Sequence, residues 1–297
     1  MELNYRYLRQ IIEDNSEPQA PIIDNGVLLK NTILTVFGAP KARKSFFAMN
    51  CGIAIACGED FCGFSIPKPE KVLFCSGEGG YFPNRDRLKV IAKDVKVDFY
   101  NNFAIAQTNY LPLNHDDNLQ SFTKLIEKLK PRVVLLDPLV KFHNMDENSA
   151  SLMGEIFGKL RELMEIYELS LIIPHHTGKV KSRGGRGSSV IHGEYDSAIT
   201  LDRKGNDYTL RFDMRHVETP NRKLVSFNTE TLWFENTTGY FDVLLSYISE
   251  HGSVSKSEAV TMWESNGTAK STAYRWVQNA LESGIVIEQD NNLVLPE

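Results

Sequence analysis

Hydrophobic and polar positions along the first two thirds of the chain switch repeatedly between short apolar runs and helical spacing. NTILTVF at 31–37 predicts a strand, and FFAMNCGIAIACG at 46–58 spaces its apolar residues as a helix does. KVLFCS at 71–76 predicts a second buried strand, which ends at GEGG and gives way to the helical stretch RDRLKVIAKD at 85–94. FAIAQ (103–107) is a third strand and LQSFTKLIEKLK (119–130) an amphipathic helix. RVVLLD (132–137) reads as a strand buried on both faces. SASLMGEIFGKLRELMEIYE (149–168) is a long helix with Asn148 and Ser149 in its cap region, and LSLIIPHH (169–176) is another buried strand. Strands alternating with helices predict an α/β fold, a mainly parallel sheet with helices on both faces.

Beyond about residue 194 the pattern changes. DSAITLDRKGNDYTLRFDMR carries two alternating runs around a Gly205-Asn206 turn, and KLVSFN and LWFEN follow, so antiparallel strands are expected. NTTG at 236–239 reads as a linker. After it come three short helices (YFDVLLSYISEHG, SKSEAVTMWESN and STAYRWVQNALESG), then IVIEQ and LVLPE on either side of Asp290-Asn291-Asn292. Three helices and a β hairpin make a winged helix. The expected division is therefore 1–239 for the α/β domain and 240–297 for a winged-helix domain, with no internal repeat.

Composition adds constraints. A chain of 297 residues with 42% hydrophobic and 24% charged residues is that of a soluble globular protein, and no window is apolar for long enough to span a membrane. MELNYRYLRQIIEDN reads as a mixed-charge amphipathic helix without the basic end, apolar core and cleavage site of a secretion signal, so a cytoplasmic location is expected. Cys51, Cys57, Cys62 and Cys75 form no CxxC pair and are expected as buried free thiols. The net charge of -5 resides in residues 240–297, where Lys256, Lys270 and Arg275 face eight acidic residues. The rest is neutral overall, and its densest basic run is KVKSRGGR at 179–186.

The candidate chemistry begins with GAPKARKS at 38–45, between the first strand and the first long helix. A triphosphate needs backbone N–H groups at a helix start, a lysine on the β and γ phosphates and a hydroxyl on Mg²⁺. Gly38, Lys44 and Ser45 fill those places. Gly38, Ala39, Pro40, Lys41, Ala42, Arg43, Lys44, Ser45 and Phe46 thus form the expected ATP-contacting segment. Arg43 stands where such loops carry glycine. Its side chain can either crowd the approach to the β phosphate or point outward and add charge beside the nucleotide, and the sequence leaves both open. Asp137 closes an apolar strand at the carboxyl edge of the sheet, where a carboxylate reaches the water shell of Mg²⁺; the alternative is a cap for the turn at Pro138. Glu78, among Gly77, Gly79 and Gly80, is placed either to orient a water in line with the γ phosphate or to serve the turn. His175 and His176 end a strand, where successive side chains point to opposite faces, so only one faces the nucleotide. KVKSRGGRGSS suits a loop that meets phosphates of nucleic acid or of a neighbouring subunit's nucleotide, with a solvated loop as the alternative.

These residues together resemble the RecA-like ATPases, and among them the hexameric replicative helicases of the plasmid RepA type. LLDPLVKFHNMDENSASLM is similar to that family's Walker B segment, IIPHHTGK to its double-histidine strand end and RGSSVI to its arginine loop, over roughly residues 30 to 230. The resemblance implies that Lys44 and Ser45 bind phosphate and Mg²⁺, Asp137 holds the metal, Glu78 activates water and His176 senses the γ phosphate. It further implies that Arg186 reaches into the next subunit's site, that Arg87 packs on adenine, and that Arg215 is a second arginine acting in trans. The implied protein is a ring-forming, hexameric ATPase that moves on single-stranded DNA in replication of a plasmid, phage or mobile element. The alternative is a nucleotide-switched DNA-binding regulator or initiator-like protein without helicase activity. Arg43 and the winged helix depart from the family pattern, and the winged helix is expected to contact duplex DNA or a protein partner through Lys270, Tyr274 and Arg275.

Overall fold

Successive residues of the parallel strands are buried, and nearly all are apolar, because both faces of the sheet are covered, and this sets the architecture. The computed structural model describes residues 5–176, 193–265 and 268–296. Strands β1 (Ile33–Gly38), β2 (Val72–Ser76), β3 (Phe103–Gln107), β4 (Val133–Asp137), β5 (Ser170–His176) and β6 (Ser197–Lys204) run parallel. With β7 (Asp207–Met214), β8 (Lys223–Phe227) and β9 (Phe234–Asn236) they form one nine-stranded sheet in the order β3-β2-β4-β5-β1-β6-β7-β8-β9. On one face Leu34, Val36, Val72, Phe74, Leu135 and Ile172 pack against helix α2 (Lys44–Cys57). On the other, Ile33, Phe37, Leu73, Cys75, Val134, Leu136 and Leu171 pack against α4 (Asp116–Leu129) and α5 (Ala150–Tyr167). Helix α5 starts where Ser149 Oγ accepts from Leu152 N, and it buries Met153, Ile156, Phe157, Leu160 and Met164 at helical spacing. Each such side chain contributes about 1.5–3 kcal/mol by leaving water.

Several expectations change in detail. Strand β6 joins the sheet parallel to β1, and from β6 onward the expected antiparallel pairing runs through β7, β8 and β9. Helix α2 is buried on all sides, since β8, β9 and their connection cover the face turned away from the sheet: Phe47 meets Phe234 at 5.2 Å between ring centroids, and Phe46 meets Phe227 at 5.4 Å. Asn50, within that helix and fully buried, accepts from Phe234 N at 2.9 Å and donates to Leu232 O at 3.2 Å, which ties the cover down. Helix α3 (Tyr81–Ile91) begins ahead of the expected RDRL start. The amino-terminal amphipathic helix is reduced to α1 (Leu8–Ile12), none of whose residues is buried. All four cysteines are buried free thiols.

The linker expected at 236–239 is replaced by direct continuity. Strand β9 ends at Asn236, helix α6 (Thr238–His251) follows, and Thr237 N donates to Leu224 O of β8 at 3.0 Å. Helices α7 (Lys256–Ser265) and α8 (Lys270–Glu282) and a three-stranded sheet of β10 (Val254–Ser255), β12 (Asn292–Val294) and β11 (Ile287–Gln289) complete the chain. Phe241, Leu244, Trp263, Val277 and Leu293 form a separate core here, to which β8 contributes Leu224.

Candidate functional site

The carboxyl ends of the parallel strands bring the sequence candidates to one edge. Gly38 is in register with His176, and Ser76 with Asp137. The chain then leaves β1 through the tight turn 39–43, in which Lys41 and Arg43 adopt left-handed φ angles of 66° and 59°. Gly38 starts that turn in close quarters: a Cβ on it would lie 3.3 Å from Ala42 Cβ. Lys44 opens α2, so its helix N-terminus and amide dipoles face the space beyond the sheet edge.

That space is a cavity of about 480 Å³ lined by Lys41, Arg43, Lys44, Ser45, Phe46, Glu78, Arg87 and Asp137, with Ser76, Asn84 and Pro174 among its other walls. Lys44 is only 6% exposed, and its Nζ folds back to donate to Gly38 O at 2.9 Å and Ala39 O at 3.1 Å. Burial lowers its pKa to about 8, against the opposing pull of Asp137 and Glu78. Asp137 is buried, which raises its pKa to about 6; the Ser45 hydroxyl hydrogen-bonds its carboxylate and counters part of that rise. A desolvated carboxylate beside a serine hydroxyl fits Mg²⁺, which takes one or two protein oxygens and completes its shell with phosphate and water. Glu78 is exposed at the mouth of the cavity.

The Glu78 loop is held by groups that the sequence did not point to. Ser76 Oγ donates to Glu78 O at 2.9 Å, and the buried Asn84 donates to Ser76 Oγ at 2.9 Å and Glu78 O at 3.1 Å. Gly77 N donates to Asp137 O at 2.8 Å, which joins the loop to the end of β4. A Cβ at Gly77 would sit 2.5 Å from Lys141 Cβ, so this close approach admits glycine alone. Gly79 and Gly80 turn the chain at φ 85° and 71° into α3, which explains that helix's early start.

Arg43 points outward. Its guanidinium lies 4.2 Å from the centroid of the Phe227 ring, and Nη1 donates to Asn206 Oδ1 at 2.9 Å and to Tyr208 Oη at 3.3 Å. The backbone keeps the left-handed turn of a glycine while the side chain borders the cavity from the β7–β8 side. Arg87 packs its guanidinium 4.9 Å from the Phe46 ring centroid and donates to Asn84 Oδ1 at 3.4 Å. His175 faces away from the cavity, edge-on to Phe37 at 6.0 Å between centroids, whereas its neighbour Pro174 lines it. The His176 side chain and Arg186 lie outside the described residues. Arg215 is not brought to the cavity: it follows β7 at the opposite, amino edge of the parallel strands, where its Nη2 donates to Gly193 O. A second cavity of about 470 Å³, between α2, α3 and β3, is walled by Ile53, Leu88, Phe99, Phe103 and Ile105 and has no carboxylate in its lining. The polar cavity alone of the two gathers an ammonium, two carboxylates and a helix N-terminus.

Among known structures the chain is similar to the ATPase domain of G40P, at 16% identity and a TM-score of 0.54 over 70% of this chain and 85% of that one. It is similar at the same identity and TM-score to a DnaB-like replicative helicase whose interactions with primase were described; that match covers 69% of this chain and 57% of the helicase chain. The shared part is the fold, a mainly parallel sheet with helices on both faces. A comparison with curated protein sequences finds no match. The AAA domain family profile matches residues 8–182, which hold the 38–45 turn, Glu78, Asp137 and the end of β5. The chain belongs to the AAA domain family.

Proposed function

We propose that this chain is a Mg²⁺-dependent ATPase that assembles head to tail, as a homo-hexamer, and couples hydrolysis to movement on single-stranded DNA during replication of a plasmid, phage or other mobile element. The observation that carries the reading is the convergence of Lys44, Ser45, Asp137 and Glu78 in one cavity at the carboxyl edge of the sheet. Lys44 then leaves the Gly38 and Ala39 carbonyls for the β and γ phosphates, and the N–H groups of residues 39–45 wrap them. Bound Mg²⁺ neutralises charge on the phosphates, with Ser45 and Asp137 as its protein ligands. Glu78 orients the attacking water, and Arg87 borders the base. His176 and Arg186 are assigned to sensing the γ phosphate and to completing the neighbour's site. Arg215, far from its own chain's cavity, serves the ring only in trans. Residues 240–297 are assigned as a winged helix that contacts duplex DNA or a protein partner.

Turnover measured with and without single-stranded DNA, together with mass in solution, tests this reading. DNA-stimulated turnover by a closed oligomer, lost in Arg186→Ala with ATP binding retained, is the expected result. A monomer with DNA-independent turnover refutes the ring motor. A nucleotide-switched DNA-binding regulator is the second reading, favoured by the seating of α8 on the β6–β7 hairpin, where Lys204 pairs with Glu282. It requires a sequence-specific footprint that disappears when residues 240–297 are removed, without strand separation.

A further inference from the structure

The β6–β7 hairpin touches two things at once. On one side it holds the 39–45 turn: Arg203 Nη1 donates to Lys41 O at 2.7 Å, and Asn206 and Tyr208 accept from Arg43. On the other it seats α8: Lys204 pairs with Glu282, and the Asp207 carboxylate takes Asn279 Nδ2 at 3.3 Å and faces Arg275 Nε at 3.8 Å. Residues 275, 279 and 282 lie on one face of α8, so that face is committed to the hairpin. Six consecutive hairpin residues, 203–208, thus carry both sets of contacts, to the 39–45 turn and to the carboxy-terminal unit.

We infer that Arg43 is a positioning residue through which occupancy of the phosphate-binding turn is coupled to the seating of α8. Resting on the proposed nucleotide site, this deepens it by naming what the site controls. The physical route is short. Lys44 must release two turn carbonyls when a triphosphate enters, and the turn is then ordered around the phosphates. Because Arg43 and the Lys41 carbonyl belong to that turn, ordering it orders the hairpin, and the hairpin holds α8. Coupling of this kind is reciprocal, so unseating α8 weakens nucleotide binding by the same factor that nucleotide tightens α8. The hairpin contacts are few and partly exposed, which sets the factor at about threefold to tenfold.

Hydrogen exchange of residues 270–282 in the full chain, with and without saturating Mg²⁺ and a non-hydrolysable ATP analogue, tests the inference. Exchange slowed about threefold or more by the analogue is expected in the wild-type chain, and the slowing is reduced in Arg43→Gly, which keeps the Arg203 contact with Lys41 O, and in Asp207→Ala, which keeps the Lys204 pair with Glu282. Glycine accepts φ 59° without strain, so Arg43→Gly retains the turn and isolates the side chain. Equilibrium binding of the analogue is measured on the same samples. If the wild-type chain does not bind it, the proposed nucleotide site itself fails. Binding with unaltered or faster exchange in α8 overturns the coupling alone, and so does slowing that persists undiminished in Arg43→Gly.

Discussion

Asp137→Asn should make the nucleotide-free chain more stable while removing its turnover. Burial drives the carboxyl group from its ordinary 3.8 to about 6, with Glu78 adding to the rise and Ser45, Lys44 and Arg87 opposing it. The sign follows from linkage. A carboxylate whose folded pKa is raised gives stability that is complete below its unfolded value and is lost as pH climbs through the folded one. Two pKa units at about 1.36 kcal/mol each make the ionised group a burden of about 3 kcal/mol above pH 6. The amide is isosteric, carries no charge to desolvate and still meets the Ser45 hydroxyl, so most of that burden is relieved. For a chain of this size the relief corresponds to a rise of roughly 5 °C in Tm. Thermal unfolding in chelator at pH 7.5 and 4.5 is the assay: the variant leads at pH 7.5, and the gap narrows by about 2 kcal/mol at pH 4.5. Turnover with Mg²⁺ is expected to fall at least about 100-fold, because the variant removes the proposed metal ligand. A variant no more stable than the parent at pH 7.5, or a gap that ignores pH, refutes the reasoning that Asp137 is held charged against its environment until a cation arrives.

Glu78→Gln should bind ATP within about threefold of the parent and lose about 10²- to 10⁴-fold in turnover, as equilibrium binding and steady-state rates will show. Gly77→Ala drives a Cβ into Lys141, so the Glu78 loop moves; a loss of about 1–3 kcal/mol in denaturant unfolding and reduced turnover are expected. Asp196→Ala removes the acceptor for Ile33 N, Arg161 Nη1 and His216 Nε2 at the amino edge, which should cost about 3 kcal/mol or more in the same unfolding assay. Burial alone would raise the Asp196 pKa, but those partners together hold it below 3.8. Its contribution is therefore present above the ordinary carboxylate range and fades only in acid.

The parallel strands were legible because a strand covered on both faces must be apolar at every position, and such runs have few other readings. The same logic applies to helix α2. Residues 46–57 are apolar on every side of a helix, which a helix lying on one sheet face has no need to be, and the covering strands β8 and β9 supply the reason. The start of α3 was hidden for the opposite reason: its first turn presents Tyr81 and Phe82 to solvent at 60% and 64%, so apolar spacing there carries no register. For the site, residue types with strong chemical signatures (Lys44, Ser45, Glu78 and Asp137) converge as their positions at strand ends suggested. Ser76 and Asn84 were not visible, since a serine closing a strand and an asparagine inside a helix acquire their role only when the fold stacks them under Glu78. Alternation along β5 required that the two histidines part company. His175 against Phe37 and Pro174 in the cavity wall are the geometric form of that rule.

Arg43 shows why a missing glycine need not mean a broken turn. A left-handed φ costs a non-glycine residue about 1–2 kcal/mol, a penalty the turn cannot recover from its own contacts. The recovery comes from the antiparallel extension: a guanidinium over Phe227 is worth about 0.5–2 kcal/mol, and the hydrogen bond to Asn206 adds to it. The two sides nearly cancel, so the turn keeps its shape, and the guanidinium is held on the side of β7 and β8. What differs from a glycine turn is attachment. A glycine would leave the turn connected to the hairpin only through the Lys41 carbonyl and Arg203, whereas arginine adds a second anchor at the residue that immediately precedes Lys44. On the proposed reading the substitution acts on how freely the turn reorganises when Lys44 releases Gly38 and Ala39, and it leaves Lys44 itself in place.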